Sequence, residues 1–280
     1  MAAWRNHGRF LRERSLCDLD VLIALKLTLT PVVMAFASLA SRRWGDAVGG
    51  WLTGLPIISA PVSIFLALQY GRHFAALAAM GSIAGVVGQS AFCIGYGLFA
   101  RRGWPIAITA AAFGYIAAAC LMVAVDAPLL VLMATAAAAL IVARPFLPAA
   151  ESLPHLVAAP SWDIPLRMAV ATALVMTVTA LAGGLGPRVS GVSASFPVIS
   201  GGLAVFAHLA RGPAAGVSAL RGMASALFGF IAFFGVLSLS LDAIAAPLAY
   251  LAATFAALAV QGLTLQLIRR DARRSAARVS

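Results

Sequence analysis

Residues 74–100 read FAALAAMGSIAGVVGQSAFCIGYGLFA, an apolar run with no charged side chain. A bilayer core of about 30 Å is crossed by a helix of about 20 such residues. In lipid, a helix satisfies its own backbone without help from another segment. Runs of the same kind lie on both sides. Nine in all begin near Val21, Ala47, Phe74, Pro105, Pro128, Ile164, Val189, Val217 and Ala246. They end near Ser41, Tyr70, Ala100, Val125, Leu147, Gly184, Ala210, Leu241 and Ile268. The links between them are short and rich in Gly, Pro, Arg and Asp. The one longer link, Pro148 to Asp163, carries Pro148, Pro154 and Pro160, with Trp162 as an interface anchor.

The composition agrees. Of 280 residues, 62% are hydrophobic and 10% charged, and the mean hydropathy is +0.98. A soluble domain holds roughly 45–50% apolar and about 25% charged residues. A water-soluble globule, a disordered chain and a nucleic-acid-binding domain are therefore excluded. A membrane β-barrel is excluded too, because its strands alternate apolar and polar residues in segments of about ten. The reading is an all-α, polytopic membrane helical bundle of about nine transmembrane helices.

The net charge of +11 comes from 20 Lys+Arg against 9 Asp+Glu. The arginines sit between runs and at the ends, where they set topology and meet anionic lipid headgroups. With nine spans, the face of the N-terminus holds Arg5, Arg9, Arg12, Arg14, Arg72 and Arg188. The other face holds Arg42, Arg43, Arg101, Arg102, Arg144, Arg211 and the tail arginines 269, 270, 273, 274 and 278. That excess favours a cytoplasmic C-terminus. If residues 128–147 do not span, eight helices place both termini on one side. Nine is preferred, since that run carries a single charge, Arg144, near its end.

The chain also repeats itself at an offset of 141 residues. Pro56-Ile57-Ile58-Ser59 maps onto Pro197-Val198-Ile199-Ser200, and Lys26 onto Arg167. Gly45, Gly50, Phe65, Gly71, Gly81, Gly88 and Phe92 map onto Gly186, Gly191, Phe206, Gly212, Gly222, Gly229 and Phe233. Agreement of glycine and proline across several helices is hard to reach by chance. The organisation is then a basic tail (1–20), a four-helix repeat (21–125) and a linker helix with its loop (126–163). A second four-helix repeat (164–268) and a basic tail (269–280) follow. A spanning linker makes the halves inverted, a recurring plan of transporters that share a midplane site.

The second helix of each half is interrupted. The first reads Gly49-Gly50-Trp51-Leu52-Thr53-Gly54-Leu55-Pro56-Ile57-Ile58-Ser59-Ala60-Pro61. The second reads Ser190-Gly191-Val192-Ser193-Ala194-Ser195-Phe196-Pro197-Val198-Ile199-Ser200-Gly201-Gly202. Each puts a proline about eight residues into its span, where it removes one backbone hydrogen bond and clashes with the carbonyl four residues back. Paired interruptions of this kind point to a transporter's site. They also serve as packing kinks, and the duplication explains both at once. Lys26 and Arg167 lie just inside their spans; they either bind an anionic group or snorkel to the interface. No acidic residue lies mid-span, which argues against a carboxylate relay. Polar mid-helix residues are Gln69, Gln89, Ser90, His208 and Gln261, with His208 either bonded to a neighbouring helix or a proton carrier. Gly81 and Gly85 have the GxxxG spacing of close helix packing, and Gly222 with Ala226 repeats it.

Cys17, Cys93 and Cys120 and four scattered histidines give no metal or redox spacing, and no Ser/His/Asp set converges. Enzymatic chemistry and a bound cofactor are not expected. The stretches Leu25-Lys26-Leu27-Thr28-Leu29-Thr30-Pro31, Arg42-Arg43-Trp44-Gly45 and Gly54-Leu55-Pro56 resemble a family of uncharacterised bacterial inner-membrane proteins with two four-helix halves. Gly191, Phe196-Pro197, His208, Gly212, Leu220-Arg221 and Ala226-Leu227-Phe228-Gly229 resemble, more weakly, the small GlpM-type membrane proteins. The resemblance implies a multi-pass protein of a bacterial inner membrane.

The leading expectation is a secondary transporter or permease of a small solute, with anions among the candidates. Its lining would be Thr53, Gly54, Pro56, Ser59, Ser195, Pro197, Ser200 and Gly201, with Lys26 and Arg167 as charge partners. The alternative is a non-transporting accessory or scaffold protein packed beside another membrane complex. Expected partners are the bilayer, anionic headgroups at the basic tails and the solute, with a homodimer left open and no nucleic acid.

Overall fold

The computed structural model describes residues 21, 23–32, 35, 56, 59–148 and 163–276. All regular structure among them is helical: α1 (Ile23–Val32), α2 (Ser59–Tyr70), α3 (Arg72–Phe99), α4 (Trp104–Ala124) and α5 (Leu129–Ala143). Then come α6 (Asp163–Ala194), α7 (Val198–Arg211), α8 (Pro213–Ser240) and α9 (Ala246–Ala276). Six helical stretches among the described residues are long and apolar enough to cross a membrane: Arg72–Arg102, Trp104–Ala124, Leu129–Phe146, Ile164–Ala194, Pro213–Ser240 and Ala246–Thr264. The chain is thus a multi-pass membrane protein of helices. The runs read at 21–41 and 47–70 are described only in part, as α1 and α2.

Successive helices reverse direction over a single glycine. Gly71 (φ 91, ψ 164) separates α2 from α3, and Gly212 (φ 85, ψ −179) separates α7 from α8. That region of backbone is essentially closed to residues with a Cβ. α6 is two helices joined at Gly186 (φ 77, ψ 169), and Pro187 opens the second arm. Proline suits a first helical position, where its missing N–H has no partner to lose.

α3 and α8 form the middle of the bundle. Their apolar windows are 72% and 61% buried, against 22% for α4, α5 and α9. Lipid covers the outer helices, so an all-round apolar surface is what those sequences require. Tyr96, Phe65, Phe92 and Phe234 are fully buried between the central helices and their neighbours. The GxxxG pair on α3 works as read: a Cβ at Gly81 would stand 2.2 Å from the Arg188 carbonyl oxygen, and one at Gly85 1.8 Å from Ser195 Oγ. The second arm of α6 therefore lies directly on α3. Gly222, the repeat of Gly81, has nothing within 4 Å of its Cβ position.

Polar contacts fix which helix ends meet. His73 Nδ1 and Asp242 Oδ2 are 2.9 Å apart, and Arg72 Nη1 donates to the Ile244 carbonyl at 3.0 Å. The start of α3 is thereby held to the end of α8. Arg188 pairs with Asp126, which joins the kink of α6 to the link after α4. Arg221 Nη1 donates to the Leu147 carbonyl at 2.9 Å, tying α8 to the turn after α5.

Candidate functional site

The second arm of α6 stops at Ala194, and α7 begins at Val198. Ser195, Phe196 and Pro197 between them are not helical. Pro197 has no N–H to give to the Ser193 carbonyl, and its ring crowds that carbonyl. A tight turn replaces the helical bonds: Ser195 N donates to Val192 O at 3.0 Å, and Phe196 N to Ser193 O at 3.3 Å. This break faces Gly85, the middle of α3, and Tyr115, the middle of α4. It lies half way through the bundle.

Backbone carbonyls released at that depth need partners from protein. They find them on three neighbouring helices. Ser82 Oγ donates to Gly191 O at 3.2 Å. The Tyr115 hydroxyl donates to Val192 O at 2.7 Å. Ser59 Oγ donates to Ala194 O at 2.9 Å. Gln89 Nε2 donates to Ser195 O. Ser195 Oγ also donates to Val192 O at 2.7 Å and stands 3.1 Å from the Tyr115 hydroxyl. Phe196 closes the turn edge-on against the Tyr115 ring, with centroids 4.8 Å apart.

Of the residues expected at the site, Ser59, Ser195 and Pro197 are brought together here and are buried. Pro56 is buried one turn before Ser59, its carbonyl accepting from Ala60 N at 2.7 Å. Gly201 faces α3 instead, where a Cβ would stand 3.1 Å from Phe92 Cζ. Ser200 is half-buried on α7. Thr53 and Gly54 lie outside the described residues. Arg167 falls on the first arm of α6, and its side chain lies outside them as well.

Lys26 stands elsewhere. Its ammonium donates to Gln69 Oε1 at 3.0 Å and to Thr179 Oγ1 at 2.8 Å, 5.7 Å from the Phe65 ring centroid. Gln69 is ten residues along α2 from Ser59, about 15 Å at 1.5 Å per residue. Lys26 and the break are therefore separate polar places. The side chain turns inward, 3% exposed, and no carboxylate among the described residues meets it. His208 Nδ1 is 3.1 Å from the Tyr96 hydroxyl, so a neighbouring helix holds its ring.

Tyr115 and Ser82 are not singled out by sequence reasoning. The signal available was a tyrosine midway along an otherwise apolar span, where its hydroxyl has to find a protein partner. Among the described residues, three buried side chains keep polar atoms without one: Thr30 Oγ1, Gln89 Oε1 and both amide atoms of Gln261. No group of three His, Cys, Asp or Glu that could hold a metal occurs among the described residues. The break itself is closely packed: a Cβ at Gly191 would stand 1.9 Å from the Ala78 carbonyl oxygen. Beside it, between α4 and α6, an apolar cleft of about 630 Å³ opens sideways from the bundle. No family model, curated protein or solved structure compared with the chain matches it.

Proposed function

We propose that this chain is a secondary transporter of a small anionic solute, drawn in its closed form. It would have nine spans and two inverted four-helix halves joined by α5, in a bacterial inner membrane. The duplication is supported by element bounds as well as residues. α2 ends at Tyr70 and α7 at Arg211; α3 covers Arg72–Phe99 and α8 covers Pro213–Ser240. Each pair is offset by 141 positions. Gly71 and Gly212 share one rare conformation, and α3 and α8 are the two central helices. The inversion is supported by the antiparallel contacts of α3 and α8, through His73 with Asp242.

The observation that carries the reading is the mid-depth break and what touches it. Ser59, from the second helix of one half, donates to Ala194 at the break in the second helix of the other. Hydroxyl and amide donors hold every such contact, and a polar solute can exchange with them. Lys26 would supply the positive charge at one end of the path, in a bundle that leaves it without an acidic partner among the described residues. The close packing favours a second reading, a non-transporting accessory protein in which the break serves helix packing alone.

Cysteine accessibility separates the two. Cys17, Cys93 and Cys120 are replaced, and Ser59→Cys and Ser195→Cys are made singly in membranes. A transporter admits a charged, water-soluble thiol reagent to both positions, and the rate depends on the side from which it is added. No labelling of either position from either side, with a loop cysteine labelled as control, would rule out an aqueous path.

A further inference from the structure

We propose that Lys26 is the coupling-proton site of this chain: its side chain rests as a neutral amine and binds one proton in each transport cycle. The coupling role rests on the transport reading; the proton exchange itself does not. The residue type is the first argument. Of the 20 Lys+Arg residues, every one but Lys26 is arginine. Lys26 is also the one Lys or Arg side chain buried among the described residues. A guanidinium keeps its proton at any accessible pH, whereas an amine can give its proton up. The residue able to do so stands in the buried place.

The partners are the second argument. Gln69 Oε1 at 3.0 Å and Thr179 Oγ1 at 2.8 Å both accept from Nζ. The Thr179 proton is committed to Val175 O at 2.7 Å, so its oxygen offers Lys26 only a lone pair. A neutral amine has two N–H groups, and these two acceptors satisfy them. An ammonium has three. Among the described contacts only the Phe65 ring, its centroid 5.7 Å away, remains for the third. Nothing in this set locks the proton on, as a carboxylate would. The other titratable groups of α1, α2 and α6 are Tyr70, Asp163, Arg167 and Arg188. The Tyr70 hydroxyl donates to Thr179 O at 3.1 Å. Asp163 and Arg167 lie about 24 and 18 Å from Thr179 along the first arm of α6. Arg188 pairs with Asp126 beyond the joint at Gly186.

A route for the proton is the third argument. Gln69 stands two residues before the Gly71 reversal, so the end of α2 is within one helical turn of Lys26. In the other direction Thr30 lies one turn further along the same face of α1. Its hydroxyl is fully buried and without a partner among the described residues, and a hydroxyl both accepts and donates. On loading, the amine lone pair takes one proton from water and a third N–H bond forms. The ammonium then balances one negative charge of the solute. On release that bond breaks, its electron pair stays on nitrogen, and the proton leaves with the anion.

The test needs no identified solute. Lysine isotope-labelled at Nζ gives a single nitrogen NMR signal in the full chain reconstituted in lipid, and Arg278→Lys adds a second as reference. The Lys26 signal should convert from amine to ammonium between about pH 9 and pH 6, a range in which a solvated lysine stays charged. A Lys26 signal that stays ammonium, or stays amine, across that range would overturn the proton site. The coupling is read from the labelling of Ser195→Cys, taken relative to the loop-cysteine control. Its rate should change at least about threefold over the same range, because protonation must favour one conformation over another. Lys26→Met and Lys26→Arg, fixed in charge, should each abolish that change. Labelling without pH dependence would end the coupling and leave the transport reading standing. No labelling at all would end the transport reading and the coupling with it.

Discussion

Gln89 and Tyr115 serve neighbouring carbonyls of the same turn, but they are not equally replaceable. Among the described contacts, Ser195 O has one donor, Gln89 Nε2. Val192 O has three, the Tyr115 hydroxyl and Ser195 Oγ, each at 2.7 Å, and Ser195 N at 3.0 Å. A buried acceptor left with none costs about 1–3 kcal/mol, while losing one donor of three costs at most about 0.5–1.5 kcal/mol. Gln89→Leu should therefore destabilise the bundle more than Tyr115→Phe, as read by reversible unfolding in bicelles. The opposite order would mean that the turn is held by Tyr115. Lys26 poses a different question. Removing a buried charge without a counter-ion can be neutral or stabilising when an apolar side chain of similar volume replaces it. Lys26→Met should leave stability within about 1 kcal/mol of the parent. Thr179 keeps its own bond to Val175 O at 2.7 Å, so a loss much larger than that would mark Lys26 as a structural tie rather than a charge kept for function.

Single-glycine reversals set how the elements follow one another. A Cβ at Gly71 or Gly212 would meet nothing within 4 Å, so only the backbone conformation resists substitution there. Gly71→Ala and Gly212→Ala should each cost about 1–3 kcal/mol, and alike, if the two turns do the same work. Gly191→Ala is a different case. Its Cβ would stand 1.9 Å from the Ala78 carbonyl oxygen and 2.8 Å from Ser82 N, both backbone atoms of α3. Neither can step aside, so the second arm of α6 must lift from α3 and the bonds from Ser82 and Gln89 go with it. Overpacking of this kind costs about 1–3 kcal/mol and occasionally more. Gly191→Ala should exceed both turn variants in the same unfolding assay, and it should speed labelling of a cysteine at Ser195. A Gly191→Ala protein as stable as the parent would mean that α6 is free to shift.

For the whole molecule, topology separates the two readings. Nine spans place the two termini on opposite sides of the membrane, with the C-terminus on the side richer in arginine. Tags at residue 1 and residue 280, probed in sealed vesicles and again after permeabilisation, should become accessible from opposite faces. Accessibility from one face would leave eight spans, parallel halves and no shared axis for the two second helices. The break would then be a local kink in a membrane protein whose function lies elsewhere.

Much of this was legible in the residues because lipid removes choices. A long apolar run must be helix, so the class of fold followed from 74–100 and its neighbours. Proline in the interior of a span removes the helical bond four residues back, so the interruption near Pro197 was legible too. Chain order could not place Lys26 beside Gln69, toward the far end of α2 from Ser59, nor turn Gly201 toward Phe92. Nor could it show that Tyr115, far from Ser195 in sequence, closes the turn. Those outcomes depend on how tilted helices meet, and only packing in three dimensions decides which side of a uniformly apolar helix faces a neighbour.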